Sequence, residues 1–185
     1  MKVVLASQSP RRKELLGRII AEFDIHPADI DETHFEAENP QAYVQRMAAE
    51  KSAVVKQQYG TDVLVIASDT TVVFDQEILG KPADKSEAKA MLQKLSGVTH
   101  KVYTAVVLTK AAQVETILSQ AEVTFYPLTD VDIEKYLATG DYTDKAGAYG
   151  IQSLAGAFVK EIHGDYYSIV GLPIGAVYQT FKKFV

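Results

Sequence analysis

The chain has no cysteine among its 185 residues. This excludes a disulfide framework, a thiolate nucleophile and any zinc site built on sulfur. A metal bound here would be a hard ion on oxygen ligands. Long apolar runs are also missing. The longest stretches, 63–67 and 169–177, are far shorter than the roughly 20 residues a membrane span needs, and Gly171, Pro173 and Gly175 interrupt the second. At the N-terminus, Val3-Val4-Leu5-Ala6 gives way at once to polar Ser7-Gln8-Ser9, so no secretion signal is expected and the cytoplasm is the expected compartment. Cations are in deficit, with 19 Lys and Arg against 24 Asp and Glu, a net charge of −5. That balance opposes a stable nucleic-acid complex or adhesion to an anionic membrane, although it leaves room for a local cationic pocket. The 47% apolar and 23% charged content is that of an ordinary globular protein, and the length allows a core without staples.

Regular elements alternate along the chain. Residues 2–6 read as a short buried strand. Ser9 suits an N-cap, and Pro10 suits the first position of a helix running to about Ile20. Residues 23–26 alternate as a second strand, and the acidic stretch 29–38 reads as loop. Asn39-Pro40 repeats the cap-plus-proline signal before a helix to about Tyr59, with Tyr43, Val44, Met47, Val54 and Val55 inward. The β-branched run 63–67 is the strongest central strand; 71–74 continues extended, and Asp75-Gln76 turns a hairpin. Ser86 is expected to cap a helix ending near Leu95. Residues 101–109 and 113–126 read as long antiparallel strands. Thr129 caps a helix closing at Gly140, residues 141–156 form a glycine-dense loop, 157–163 form a strand, and Pro173 starts the last helix. The pattern predicts a mixed α/β protein with junctions near 82–85 and 126–130.

Several residues carry chemical signals. Ser7-Gln8-Ser9-Pro10-Arg11-Arg12-Lys13 joins a buried strand to a helix N-terminus. Three cations at the positive end of a helix dipole are reasonable if an anion binds there, and arginine forks suit phosphate. The segment lacks the glycine-rich pattern of a P-loop. Asp69-Thr70 is expected just past the end of the 63–67 strand, where α/β sheets commonly place ligands. Asp69 there suits a metal ligand or general base, or simply starts a turn. Glu32 lies in an acidic loop and would either join Asp69 around Mg²⁺ or be solvated. Lys51 lies mid-helix and by itself reads as a surface residue. Lys81, in Gly80-Lys81-Pro82, sits in a rigid turn that would fix its reach towards a phosphate. Gln152 follows Lys145 in the glycine-dense loop, where its amide can offer a donor and acceptors to a base edge. No histidine has metal-motif spacing, and no Gly-x-Ser-x-Gly elbow occurs.

These blocks together resemble the Maf family, the septum-formation-inhibitor-like nucleotide pyrophosphatases. The resemblance runs from Leu5-Ala6-Ser7-Gln8-Ser9-Pro10-Arg11-Arg12-Lys13-Glu14-Leu15-Leu16 through Asp31-Glu32, Glu50-Lys51, Ser68-Asp69-Thr70 and Leu79-Gly80-Lys81-Pro82. It continues with Leu95-Ser96-Gly97, the segment Asp144 to Gln152, Gly164-Asp165-Tyr166-Tyr167 and Val170-Gly171-Leu172-Pro173. It implies a single domain over 1–185, a long mixed twisted sheet with flanking helices forming two lobes around a cleft, similar to inosine triphosphate pyrophosphatases. It also implies Mg²⁺- or Mn²⁺-dependent hydrolysis of a nucleoside triphosphate to the monophosphate and pyrophosphate. By position, Asp69 resembles the family's proton acceptor and metal acid, and Glu32 its second carboxylate. Ser7, Arg12, Lys51 and Lys81 resemble phosphate-contacting groups. Arg11, Thr70 and Gln152 match the specificity pattern of the branch acting on dTTP and UTP; a sister branch acting on 7-methyl-GTP tends to carry Trp, Gln and Glu there. The family often forms homodimers, though no interface patch is evident in the sequence. The contrasting reading is a non-enzymatic nucleotide- or DNA-binding regulator of division.

Overall fold

A computed structural model describes residues 1–185. Strand β3 (Leu64–Phe74) organises it, flanked by β1 (Val3–Leu5), β2 (Asp24–Ile25), β4 (Glu77–Leu79), β5 (Thr99–Lys110), β6 (Gln113–Phe125) and β7 (Val159–His163). They form one mixed sheet in the order β2-β1-β3-β5-β6-β7, with β4 also paired to β3. β1 is parallel to β2 and β3, and the other pairings are antiparallel. The sequence predicts two extended pieces, 63–67 and 71–74, whereas β3 runs through both. Its polar centre is held by the ladder to β5, where Ser68, Asp69 and Thr70 face Val106, Ala105 and Thr104. Asp69 therefore sits within a strand rather than just past one. The β3–β4 hairpin turns at Asp75 and Gln76, both left-handed at φ 49° and 66°, as a tight hairpin turn requires.

Helices α1 (Pro10–Gly17), α2 (Pro40–Lys56), α3 (Lys85–Leu95), α4 (Asp130–Leu137), α5 (Tyr166–Val170) and α6 (Ile174–Phe181) cover the sheet. Ser9 and Asn39 cap as expected, and Thr129 forms a capping box with Asp132. Asp84, not Ser86, caps α3, accepting from the Glu87 amide at 2.8 Å. Ser86 lies one residue inside the helix, where its hydroxyl cannot reach the free amides. α5 was not anticipated. Five residues are too few for periodicity, and its marks are an Asp165 cap and a left-handed Gly171 at φ 125°.

β3 sends alternate side chains to opposite faces. On one face Val65, Ala67 and Val73 pack on α2 through Val44, Ala48 and Val55. On this helix Tyr43 and Val54 are only half-buried; the inner stripe instead takes Ala48, Lys51 and Ser52. The other face carries two separate apolar clusters. Leu64, Ile66, Val106 and Leu108 join Leu15, Leu16, Val170 and Leu172. Val72, Val102, Val123 and Phe125 join residues of α3 and α4. Between these clusters lie Ser68, Thr70 and Thr104.

Candidate active site

β5 occupies one edge of β3. On the other edge, β1 pairs with Leu64–Ile66 and β4 with Val72–Phe74, so residues 67–71 have no strand beside them. A cleft of about 710 Å³ opens there. Its lining brings together Ser7, Arg11, Arg12, Glu32, Lys51, Asp69, Thr70, Lys81 and Gln152, while Lys13, the third cation of the α1 start, is exposed and lies outside it.

Charges dominate the α2 side. The Lys51 ammonium donates to Asp69 Oδ1 at 2.7 Å and lies 2.6 Å from Glu32 Oε1. Lys81 reaches the other Glu32 oxygen at 3.0 Å. Lys51 is thus buried and paired, not a surface residue. Burial alone would raise the Glu32 carboxyl, but hydrogen bonds and charge from Lys51 and Lys81 outweigh it and hold the value near 2. The loop bearing Glu32 is fastened by Arg46, which sequence reasoning missed. Its guanidinium forks onto Glu38 at 2.8 and 2.7 Å, donates to the Thr33 carbonyl at 3.1 Å and stacks 4.0 Å from the Phe35 ring. Tyr43 adds a hydrogen bond from its hydroxyl to the Glu32 carbonyl at 2.8 Å. Burial pushes the Tyr43 phenol up to about 12, with Asp69 and Glu32 adding to the rise.

The opposite side is built from hydroxyls and carbonyls. Arg12 Nε donates to the Gly171 carbonyl at 3.0 Å, and Nη2 donates to Thr70 Oγ1 at 3.1 Å. Nη1 lies 3.5 Å from Ser7 Oγ. Burial lowers the Arg12 value, with Asp69 opposing and Arg11 reinforcing the change; a desolvated guanidinium is a strong partner for a phosphate.

The third wall is the loop after α4. Arg11 reaches across to Asp144 at 3.3 Å. Lys145 folds back on its own loop, pairing with Asp141 and Asp144 at 2.9 and 2.8 Å. Gly147 is left-handed at φ 67°, and a Cβ there would fall 2.9 Å from Val72, so glycine lets this loop lie on β3. Gln152 is exposed at the rim.

The acids suit a hard cation. Asp69 and Glu32 converge on a single cationic position, filled by the Lys51 ammonium. No group of three or more His, Asp or Glu side chains converges on a metal position. Two carboxylates with room for phosphate oxygens match the way Mg²⁺ binds beside nucleotides.

Comparison with known proteins places the chain among relatives. The family model described as Maf-like protein matches residues 2–184. The dTTP/UTP pyrophosphatase of Lacticaseibacillus casei is 46% identical over 178 residues, covering 96% of each chain. That of Halalkalibacterium halodurans is 47% identical over 180 residues, covering 97% of this chain and 94% of its own. Among solved structures, the Staphylococcus aureus Ham1 protein aligns over 68% of this chain and 72% of its own, at 13% identity and a TM-score of 0.49, a likeness too slight to build on. The family match spans nearly every residue and includes all the cleft residues named above, and the chain belongs to the Maf family.

Proposed function

We propose that this protein hydrolyses dTTP and UTP to the monophosphate and pyrophosphate. The observation that carries the reading is the ring of Arg11, Arg12, Lys51 and Lys81 around one buried carboxylate, Asp69, in a cleft rimmed by Gln152. Relatives of similar length and more than 40% identity bear that activity in their names.

The four cations, with Ser7 and the N-terminus of α1, hold the triphosphate. Asp69 and Glu32 would hold Mg²⁺ or Mn²⁺, which when bound neutralises phosphate charge and acidifies a water. Phosphate oxygens compete for Lys51 and free Asp69 from it. Asp69 then takes the proton of a water attacking the α-phosphorus, and pyrophosphate leaves. Positioning and charge stabilisation supply most of the acceleration, as in other phosphoryl transfers. Gln152 selects the base: its amide can accept from the imide N–H of thymine or uracil and donate to a neighbouring carbonyl. Thr70 was expected to share that task. Its hydroxyl instead engages Arg12 and Thr104, so we assign it to the phosphate end.

No helix is long and apolar enough to cross a membrane, and we place the enzyme with the cytoplasmic nucleotide pool. A panel of nucleoside triphosphates with Mg²⁺, assayed for pyrophosphate release, tests the reading. Preference for dTTP and UTP is expected. Preference for 7-methyl-GTP, or binding without turnover, would overturn it.

A further inference from the structure

The two apolar clusters on one face of β3 are separated by a polar seam. Along β3 that face reads Leu64, Ile66, Ser68, Thr70, Val72; along antiparallel β5 it reads Val102, Thr104, Val106, Leu108. Thr70 and Thr104 are direct cross-strand partners. Thr104 is completely buried between two valines of its own strand. A valine there would continue the apolar stripe without a polar group to satisfy. A threonine at that point calls for a use of its hydroxyl.

Counting protons defines the use. Thr104 Oγ1 lies 2.7 Å from the Ser168 carbonyl, which can only accept. The single Thr104 proton goes there. The 2.9 Å contact between the threonine hydroxyls must then be donated by Thr70. With its own proton used, Thr70 Oγ1 can only accept from Arg12 Nη2, as its 3.1 Å geometry has it. The chain therefore runs one way, from Arg12 to Thr70 to Thr104 to the Ser168 carbonyl. A second tether acts beside it. Ser68, also completely buried, donates to the Gly171 carbonyl at 2.9 Å, the same oxygen that receives Arg12 Nε. Both tethers end on α5 and the turn after it. They hold the guanidinium from below and leave its Nη1 side towards Ser7 and the cleft.

We propose that Thr104, outside the cleft, is a positioning residue that fixes the direction of the Thr70 hydroxyl and thereby holds Arg12 in register for the triphosphate. The inference rests on the proposed function only in taking Arg12 as a phosphate-binding group. Without the Thr104 oxygen, the Thr70 proton has no acceptor below it. It turns towards Arg12, and the guanidinium loses its partner.

The test compares Thr104→Val with Thr104→Ser, using both dTTP turnover and calorimetric binding of inorganic tripolyphosphate. Thr104→Val is expected to raise KM for dTTP and weaken tripolyphosphate about tenfold, the scale of one hydrogen bond to a charged group, with a smaller change in kcat. Thr104→Ser is expected to restore both. In a Thr70→Val background, Thr104→Val is expected to add no further loss, because it acts through Thr70. If Thr104→Val fails to fold, Thr104→Ala carries the same expectation. A variant that melts earlier yet keeps wild-type KM and tripolyphosphate affinity would overturn the proposal and leave Thr104 a packing residue. Fully additive losses in the double variant would overturn it as well. If the wild type turns over no nucleotide but Thr104→Val still weakens tripolyphosphate, the proposed function fails while the positioning role stands.

Discussion

At the cleft, consecutive residues of β3 enter two different environments. Asp69 points to α2 and meets Lys51, which also holds Glu32 and, through it, Lys81. Ser68 and Thr70, one position to either side, point to α1 and α5 and meet a carbonyl, a hydroxyl and Arg12. On the first side each charge is paired with another charge, and its outer members are open to solvent: the Glu32 and Lys81 side chains are 40% and 57% exposed. A polyanion and a cation can exchange with such partners. On the second side Ser68 and Thr104 are completely buried, Thr70 and Arg12 half-buried, and each hydroxyl proton has a single destination. On the proposed function, the charged side would rearrange around its ligand and the hydroxyl side would stay fixed and give the ligand a reference.

The largest expected effect lies on the charged side. Asp69→Asn removes the proton acceptor but leaves Lys51 paired with Glu32. We expect kcat for dTTP to fall on the order of a thousandfold, with the circular dichroism spectrum and melting midpoint close to wild type. Lys51→Met breaks the same pair from the other end and leaves a carboxylate buried without its cation. Stability is expected to drop by about 3 kcal/mol in urea unfolding; the double variant with Asp69→Asn should recover part of the loss, since no charge is then stranded. On the fixed side, Gly171→Ala places a side chain at φ 125°, with its Cβ 3.4 Å from Arg12 Nε. A cost of about 1–3 kcal/mol from backbone strain is expected, with a rise in KM that tracks Arg12 displacement. The smallest effect on stability belongs to Glu32→Gln. The folded Glu32 value, near 2, is below its ordinary 4.5, so the folded state binds fewer protons than the unfolded chain between them. Its stabilisation is present above about pH 4.5 and is lost as pH falls towards 2. Partial exposure keeps it small. Urea midpoints of wild type and Glu32→Gln should converge across that acid window and differ above it; a constant difference would show that Glu32 is not held by Lys51 and Lys81.

The two sides of the cleft are legible in the sequence to different depths. Asp69 was legible because a carboxylate ends an apolar run. The α1 cations were legible because they follow a cap and a proline. Lys51 by itself was not, since a lysine in mid-helix is ordinarily solvated. The retrospective signal is its spacing with Val44, Ala48 and Val55, which puts it on the stripe that packs on β3. The cleft itself was not legible in detail. It exists because β1 stops at Leu5 and β4 begins pairing only at Val72, a gap set by non-local pairing. Thr104 was invisible for a further reason: threonine is an ordinary strand residue, and its role appears only once the proton of each hydroxyl is traced. Ser86 and Asp84 show the limit of local rules, since two suitable caps stand two residues apart and only Asp84 accepts from a free helix amide.

In the proposed mechanism Asp69 directs water to the α-phosphorus of a pyrimidine nucleoside triphosphate held by these cations. Hydrolysis of dTTP in water enriched in heavy oxygen, followed by mass spectrometry of the products, tests it most directly. The label is expected in dTMP, with unlabelled pyrophosphate, and both signals are expected to be lost in Asp69→Asn. Label in pyrophosphate or release of orthophosphate would contradict it.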